Sequence, residues 1–558
     1  MSRSIKSELS RREFVAMTAG AVLVELKPLQ AQEEDLAARL ARAFDAIQDA
    51  VAASPIAGIA VGITDRKRAL KIATHGFADL KTKVPITADS LFEIGSVSKS
   101  FTAIALMQLA QEGKFDPHAP ITKYLPWFEV RSKFAPITGH HLLTHTSGLP
   151  NYRPDLASTP FATFALRDFE VSYAPGSHYW YSNIGFQTLG YVLENIERAS
   201  YRTIVSRRIL APLGMTATAA IIDDDLRSRL PVSYRVWPYT NDYVEEPWFE
   251  YRAADGSIAS TINDMLAYVR LFLNRGAATD GRLLAEDAFT RLTTPALNDY
   301  AYGLTVHDID GDTVVSHEGS IAAFNSVFEA HMKDGFGVVV LGNAQLNRGL
   351  NGWMVNTIKA AVRDQPFPKL PVPPSPEQTA AAAAEWAGVY TGPAGKSVEF
   401  VATDHGLALK RGDSTLPLRR IGRDSFRSDA RDLIEFPFAF ERDGEKVVAV
   451  SHGPDWYTGK DYTGPREFKI PAEYLPFAGR YENHNPEGQF VRVFIRKGQL
   501  ILANGRSEGS PLAQIGPGLF RPTSPDYNPE RYRFDTVIDG HALRLLMSGM
   551  PMYRIDEN

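Results

Sequence analysis

A proline-rich run divides the chain and constrains its architecture more than any other feature. Six of the eleven residues from Pro366 to Pro376 are proline. Because proline lacks a backbone N–H and fixes φ, such a run excludes helix and favours an extended spacer. A chain of 558 residues is also long for one domain. The sequence therefore predicts one large unit over residues 32–365, a linker over 366–380, and further units beyond it.

The region after the linker contains an internal repeat. The segment Trp386-Ala-Gly-Val-Tyr390 returns 91 residues later as Phe477-Ala-Gly-Arg-Tyr481. Both copies alternate apolar and polar residues and carry glycine-bearing turns, a pattern typical of antiparallel strands. We therefore predict two similar small antiparallel β-barrels, over residues 381–470 and 471–558.

The large unit mixes helices and strands. Apolar residues recur at helical spacing between Glu33 and Ala53, and strand-like runs follow at 59–64 and 69–74. Two further strand runs, 324–331 and 336–341, flank a turn at Asp334-Gly335, and 350–362 then has a helical pattern. Strands at both ends with helices between them predict an α+β domain whose sheet closes late in the chain.

Composition excludes several classes of function. The chain has no cysteine, which excludes thiolate nucleophiles, thiolate metal sites and disulfides. Covalent catalysis must therefore use Ser, Thr, Lys or a carboxylate. A net charge of -5 argues against nucleic acid as a partner. His141 and His145 have metal-ligand spacing but lack a third ligand and a catalytic glutamate, so we predict structural roles for both, and no metal or other cofactor.

The N-terminus carries a possible export signal. Arg11-Arg12 precedes a mostly apolar run, and Ala31 follows as a small residue suited to cleavage. Residues 1–31 are interpreted as a twin-arginine leader, which predicts a periplasmic or secreted protein; without that leader it is cytoplasmic. No transmembrane segment is predicted, because no run reaches about 18 uninterrupted apolar residues.

A serine and a lysine define the first candidate motif. Ser96 and Lys99 stand at the start of an apolar, helix-like stretch, at a spacing of three that places them on one helical face. A neutral lysine beside a serine hydroxyl can remove its proton and make it a nucleophile. The motif predicts covalent catalysis by Ser96.

Two further motifs follow in order. Tyr181-Ser-Asn183 lies between a Pro-Gly turn and a helix-like run, where the tyrosine can transfer protons and the asparagine can bind a substrate amide. His317-Glu-Gly319 lies on a strand before the Asp334-Gly335 turn. The glycine lets a substrate approach that strand, and the Ser320 N–H is a candidate oxyanion donor.

The three motifs in this order resemble the serine β-lactamases of class C and the penicillin-recognising peptidases. The segment His140-His-Leu-Leu-Thr-His145-Thr-Ser-Gly, conspicuous in that family, adds to the resemblance, which covers residues 36–362. His317 stands where β-lactamases usually carry lysine, as it does in the family's D-aminopeptidases and esterases. Two barrels after a linker are similar to the layout of D-stereospecific aminopeptidases.

The resemblance implies a serine hydrolase with a β-lactamase-like catalytic domain. Ser96 attacks the carbonyl, while Lys99 and Tyr181 move the proton to the leaving group. The N–H groups of Ser96 and Ser320 hold the oxyanion, and Asn183 and His317 position the substrate and the tyrosine. The expected substrates are amide bonds of small peptides containing D-amino acids. Alternatives are a family esterase, a β-lactam hydrolase, and a penicillin-binding sensor that acylates without turnover.

The two barrels have no chemical motif of their own. Selectivity for short substrates requires a wall at the pocket, and the catalytic motifs supply none. We therefore predict that a loop from one barrel reaches the pocket mouth and restricts substrate length.

Overall fold

The structure is a computed structural model that describes residues 29–53, 56–151, 160–236, 243–278, 281–345, 348–371, 383–483, 490–504 and 507–555. Most of the predicted leader and residues 372–380 of the predicted linker lie outside this set. None of the helices within it is long and apolar enough to cross a membrane.

A seven-stranded antiparallel sheet forms the centre of the first unit. Its strand order is β10-β11-β12-β13-β1-β2-β3, so the first strand pairs with one from the end of the unit. This late closure was expected from the sequence. The strands of the sheet are β1 (Gly58–Asp65), β2 (Ala69–Asp79), β3 (Val84–Pro85), β10 (Thr305–Ile309), β11 (Asp312–Ile321), β12 (Phe324–His331) and β13 (Phe336–Gly342).

Short strand pairs and ten α-helices make up most of the rest of its described part. The pairs are β4 (Phe92–Glu93) with β7 (Ala259–Ser260), β5 (Tyr234–Val236) with β6 (Tyr243–Glu245), and β8 (Ala277–Ala278) with β9 (Gly281–Arg282). The described helices are α1 (Leu29–Ala52), α2 (Ser98–Gln111), α3 (Gly139–Leu143), α4 (Pro160–Phe164), α5 (Asn183–Glu197), α6 (Tyr201–Val205), α7 (Asp224–Arg227), α8 (Ile262–Leu273), α9 (Glu286–Leu292) and α10 (Arg348–Val362).

The sheet separates two hydrophobic layers because successive strand residues face opposite sides. Ile59 and Val61 of β1 pack with α1 and α10, whereas Ala60 between them belongs to the larger core that includes α2 and α8. In β13, Val340 and Leu341 divide in the same way. The helices on the α2 side carry the first two motifs, so this layer positions the candidate site.

Two β-barrels follow the linker, as the repeat predicts. Barrel 1 is a nine-stranded sheet whose edge strands, β17 and β18, are separated by one residue, so it is nearly closed. Barrel 2 is a closed barrel of eight strands. The strands of barrel 1 are β14 (Gly388–Thr391), β15 (Ser397–Thr403), β16 (Gly406–Arg411), β17 (Ser414–Pro417), β18 (Arg419–Arg420), β19 (Ser425–Arg427), β20 (Phe438–Asp443), β21 (Lys446–His452) and β22 (Asp455–Thr458). Those of barrel 2 are β23 (Gly479–Glu482), β24 (Phe490–Arg496), β25 (Gln499–Asn504), β26 (Ser510–Gly516), β27 (Leu519–Pro522), β28 (Tyr532–Ile538), β29 (His541–Met547) and β30 (Met550–Ile555).

The repeated motif has the same role in both barrels. The Tyr390 hydroxyl donates to the Trp386 carbonyl at 3.0 Å, and the Tyr481 hydroxyl donates to the Phe477 carbonyl at 2.9 Å. Both tyrosines are buried in the core of their barrel. Equivalent residues therefore make the same hydrogen bond in the core of each barrel, which explains why the repeat is visible in the sequence.

Candidate active site

Ser96 stands where a buried segment reaches the surface. It lies in a single 3-10 turn, Gly95–Val97, that leads directly into α2. Every residue from Leu91 to Leu109 is buried except Ser96, which is partly exposed. A helix that is buried on all sides is held in place by the core around it. The fold therefore presents this one hydroxyl from a fixed support.

Lys99 is fully buried beneath Ser96. Its Nζ donates to the Ser96 Oγ at 2.9 Å and to the backbone oxygen of Asp255 at 2.8 Å. The amine is thus fixed within hydrogen-bond reach of the hydroxyl. This is the arrangement in which an amine can take the proton of a serine nucleophile.

The segment 254–258 completes the support of α2, and no motif in the sequence identifies it. The Ala254 carbonyl accepts from the Thr102 hydroxyl at 2.7 Å, and the Ile258 N–H donates to the Ser98 Oγ at 3.1 Å. The Asp255 carboxyl group is buried, and burial raises its pKa. The Tyr251 hydroxyl lies 3.1 and 3.0 Å from its two oxygens.

Tyr181 and Asn183 are fixed by the start of α5. Ser182 caps this helix, because its Oγ accepts from the Gly185 N–H at 3.3 Å. The Tyr181 ring lies beside the first motif, with its centroid 4.9 Å from the Lys99 Nζ. Asn183 is buried, and its Oδ1 has no partner among the described residues. That oxygen therefore retains an unused capacity to accept a hydrogen bond.

Strand β11 brings the third motif to the same place. On one side β10 pairs with β11 only as far as Ser316. On the other side β12 pairs with the whole of His317–Ser320. The backbone of His317–Ser320 therefore forms a strand edge that β10 leaves free to bind an extended chain.

Two glycines allow this strand to pass against the serine turn. A Cβ on Gly319 would lie 1.9 Å from the Ile94 carbonyl oxygen, and one on Gly95 would lie 2.7 Å from the Ser320 nitrogen. Gly95 also has φ +48°, which disfavours other residues. The serine turn and the strand therefore lie in close backbone contact at Gly95 and Ser320.

His317 contributes a neutral ring rather than a charge. Burial, and secondarily the positive charge of Lys99, lowers its pKa to about 3. Its Nδ1 lies 2.6 Å from the Glu318 carbonyl oxygen, and its Nε2 lies 3.0 Å from the Tyr300 hydroxyl. The third motif therefore offers no cation at neutral pH.

His145 belongs to the site, whereas sequence reasoning gave it only a structural role. It is fully buried, and its ring centroid lies 4.1 Å from that of Tyr181. The Ser182 N–H donates to its Nδ1 at 3.0 Å, and its Nε2 lies 3.2 Å from the Tyr300 hydroxyl. The conspicuous segment 140–148 was the available signal for His145, but Tyr300 has none.

A loop of barrel 2 reaches the rim of the site. We call residues 523–531, between β27 and β28, loop 2. The Glu530 carboxylate accepts from the Asn151 N–H at 2.7 Å and from the Trp180 indole N–H at 3.0 Å. The Asn151 Oδ1 in turn accepts from the Asn183 N–H at 3.4 Å. Barrel 2 is thus two hydrogen bonds away from the second motif.

One cluster with metal-ligand spacing lies at the other end of β11. It consists of Asp312, His331 and Asp334. The Arg363 guanidinium lies 3.6 Å from the Asp312 carboxylate and 2.8 Å from that of Asp334. These contacts describe an ion-pair network tied to β11 and β12.

The geometry defines the class of protein. A serine and lysine at the start of a buried helix, a Tyr-x-Asn loop and a strand edge converge as they do in serine β-lactamases and penicillin-binding peptidases. A family model described as Beta-lactamase matches residues 43–353. Because this match covers more than half of the chain, the protein belongs to the beta-lactamase family.

Individual relatives are distant. Protein flp of Staphylococcus aureus is 26% identical over 286 residues, covering 48% of this chain and 56% of that protein. The chain therefore spans about half the length of that relative. The protein MT1414 of Mycobacterium tuberculosis is 28% identical over 291 residues, covering 45% of this chain and 71% of that protein.

A solved structure shares the fold more widely. The octameric penicillin-binding protein homologue from Pyrococcus abyssi aligns with a TM-score of 0.54 at 21% identity. The alignment covers 83% of this chain and 98% of that one. The likeness confirms the fold.

Proposed function

We propose that the protein is a serine hydrolase that forms an acyl-enzyme and cleaves amide bonds in small peptides containing D-amino acids. The observation that carries the proposal is the 2.9 Å contact between the Lys99 Nζ and the Ser96 Oγ. Ser96 is the one residue of the segment 91–109 that is not buried. Membership of a family of mostly hydrolytic serine enzymes supports it.

The reaction begins with acylation of Ser96. Its Oγ attacks the substrate carbonyl while Lys99 takes the hydroxyl proton, and the N–H groups of Ser96 and Ser320 bind the oxyanion. Lys99 passes this proton through Tyr181 to the amine nitrogen, which leaves as the C–N bond breaks. Water hydrolyses the ester in a second step and restores the Ser96 hydroxyl.

The buried Oδ1 of Asn183 suits a substrate amide. A buried acceptor without a partner costs about 1–3 kcal/mol, so a substrate N–H that satisfies it binds more tightly. An extended peptide paired with the free edge of His317–Ser320 presents such groups in regular alternation. Both features favour a peptide substrate over a compact one.

The neutral state of His317 supports a substrate without a carboxylate next to the scissile bond. In β-lactamases a lysine usually occupies this position, where its charge attracts the carboxylate of the substrate. Because burial and the Lys99 charge hold the His317 pKa at about 3, that attraction is absent at neutral pH. This favours cleavage from the amino end of a peptide over carboxypeptidase or β-lactamase activity. The D-preference rests on the layout resembling that of D-stereospecific aminopeptidases.

The test is a panel of matched substrates assayed on the purified full chain. It contains D- and L-alanine amides, the corresponding esters, N-acetylated forms and a penicillin. We expect the highest kcat/KM on the D-amide series with a free amine, and no turnover by Ser96→Ala. Ester cleavage without amide cleavage would exclude a peptidase. Full activity of Ser96→Ala would refute the proposal.

A further inference from the structure

Five groups between the second and third motifs form a hydrogen-bond chain whose direction is fixed. At one end the Ser182 backbone N–H donates to the His145 Nδ1 at 3.0 Å. At the other end the Glu318 carbonyl oxygen, which accepts only, lies 2.6 Å from the His317 Nδ1. The Tyr300 hydroxyl joins the two rings, 3.2 Å from the His145 Nε2 and 3.0 Å from the His317 Nε2.

The end groups decide where every proton lies. Because a backbone N–H occupies the Nδ1 of His145, its ring proton is on Nε2 and points to the Tyr300 oxygen. Because a carbonyl faces the Nδ1 of His317, its ring proton is on Nδ1 and its Nε2 is an acceptor. Tyr300 then accepts from His145 and donates to His317. Each ring nitrogen has one partner, and no alternative arrangement of neutral rings satisfies all five groups.

We propose that His145 and Tyr300 are positioning residues that, through this chain, hold the Tyr181 loop and strand β11 in fixed relation. The proposal rests on the proposed function for the reaction that is positioned. The tautomers themselves do not depend on it.

The chain lies against the catalytic groups. Tyr181 precedes Ser182 and its ring packs on the His145 ring at 4.1 Å. His317 is the first residue of the free strand edge and lies three residues before Ser320. Neither loop nor strand can shift without breaking the chain, because His145, Tyr300 and His317 are all buried.

The pKa shifts of the two histidines also favour the neutral rings that this hydrogen-bond chain requires. A protonated His145 would place an N–H against the Ser182 N–H, and burial and the Lys99 charge lower the pKa of both imidazoles. The titratable groups that face the chain are Lys99 on α2, Tyr179 and Tyr181 before α5, and the two rings themselves. Burial is the larger cause in both rings, so they stay neutral whether Lys99 is charged or has a free amine.

The first test measures the tautomers in the resting wild-type protein. Nitrogen-15 spectra of the histidine side chains, assigned with His145→Asn and His317→Asn, distinguish the 13 histidines of the chain. We expect neutral rings at pH 7, with the proton on Nε2 in His145 and on Nδ1 in His317. The opposite tautomer in either ring, or a charged ring, overturns the proposal. This measurement needs no substrate, so failure of the proposed function leaves it unaffected.

The second test removes the central hydroxyl. Tyr300→Phe keeps the ring but leaves His145 without an acceptor and His317 without a donor. We expect kcat to fall about 10- to 100-fold with a smaller change in KM, while the His317 ring proton stays on Nδ1 because the Glu318 carbonyl still accepts it. Tyr179→Phe is the control, since its ring centroid lies 5.6 Å from that of Tyr300 but its hydroxyl is outside the chain. An effect of Tyr179→Phe equal to that of Tyr300→Phe contradicts the proposal.

A double-mutant cycle separates positioning from general damage. His145→Asn keeps an acceptor for the Ser182 N–H and tolerates φ +56° at this position, but it cannot reach Tyr300. If both residues act through one hydrogen-bond chain, the kcat of the double variant lies within about twofold of the kcat of the less active single variant. Additive losses would show that they act independently and would overturn the proposal.

Discussion

The two barrels use the same loop for different partners. Loop 1, residues 428–437 between β19 and β20, corresponds to loop 2 between β27 and β28. Loop 1 lies against barrel 2, where Glu435 pairs with Arg492 and the Phe436 and Phe494 ring centroids are 5.5 Å apart. Its counterpart lies against the catalytic unit instead.

Loop 2 reproduces this chemistry on another surface. Arg531 donates to the Ser172 Oγ at 2.7 Å, and the Tyr527 and His178 ring centroids are 4.3 Å apart. In each loop an ionic or polar contact accompanies an aromatic one. The barrel fold therefore determines where the loop projects, while the loop sequence determines which unit of the protein it contacts. Of the two loops, loop 2 is the one that contacts the active-site rim through described residues.

The largest effect is expected on substrate length, which loop 2 should restrict and loop 1 should not. Replacing residues 524–530 with a Gly-Ser linker of equal length removes the wall that loop 2 places at the rim. We expect kcat/KM for a five-residue D-peptide amide to rise about 10- to 100-fold relative to a two-residue one, equal to about 1.4–2.8 kcal/mol. The same replacement of residues 429–435 in loop 1 should leave this ratio unchanged. An unchanged ratio in a folded loop 2 variant would refute the length-restricting role.

Each loop carries one glutamate whose carboxylate contacts the neighbouring unit. Glu530→Ala removes the carboxylate that accepts from the exposed Asn151 N–H and the half-buried Trp180 indole N–H, and a hydrogen bond to a charged group contributes about 1.5–3 kcal/mol. We expect kcat/KM to fall about tenfold. Glu435→Ala deletes the same group but breaks an ion pair with Arg492 inside the barrels, so steady-state kinetics should change less than about twofold. Equal losses would mean that the barrels act on the site through general stability.

A smaller effect tests whether the two cores are equivalent. Tyr390→Phe and Tyr481→Phe each remove a buried hydroxyl that donates to a carbonyl four residues earlier. We expect each change to lower the free energy of unfolding by about 1 kcal/mol, measured by urea denaturation. The Tyr481 hydroxyl also lies 3.2 Å from the Ala542 carbonyl, so its loss should be at least as large. A change at one barrel alone would contradict equivalence.

The smallest expected effect is the loss of stability at acidic pH caused by a histidine that contacts loop 1. His452 lies beneath this loop, with its Nε2 3.1 Å from the Leu433 carbonyl, and burial lowers its pKa. The unfolded chain therefore binds the proton more readily, so stability falls as the pH drops below about 6.5. His452→Gln keeps a donor but cannot titrate, and its urea midpoint should fall less between pH 7.5 and 5.5 than that of the wild type. Equal decreases in the urea midpoint of both proteins would show that His452 does not cause the loss of stability in acid.

Much of the architecture was predictable because it depends on local patterns. The helix over 33–53 is confirmed as Leu29–Ala52, and the strands around Asp334-Gly335 are confirmed as β12 and β13. The repeat predicted both barrels because the Tyr390 and Tyr481 contacts impose the same residues at the same spacing. Ser96 differs slightly from expectation, since it lies in a 3-10 turn before the helix rather than in its first turn.

What the sequence could not provide depends on distant contacts. The Asp255 carbonyl meets Lys99 from 156 residues away, and a backbone oxygen carries no side-chain signal. Tyr300 joins His145 and His317 only after the sheet has formed, so neither periodicity nor spacing indicates it. A loop reaching the pocket mouth was expected, but which barrel supplies it depends on how the units pack.

The most direct test of the account is the identity of the acylated residue. The full chain is mixed with an activated D-alanine ester, quenched in acid before turnover is complete, and analysed by intact mass spectrometry and peptide mapping. The account predicts one D-alanyl group on Ser96, absent from Ser96→Ala and slow to form in Lys99→Met. An adduct on another residue, or unchanged hydrolysis by Ser96→Ala, would contradict it.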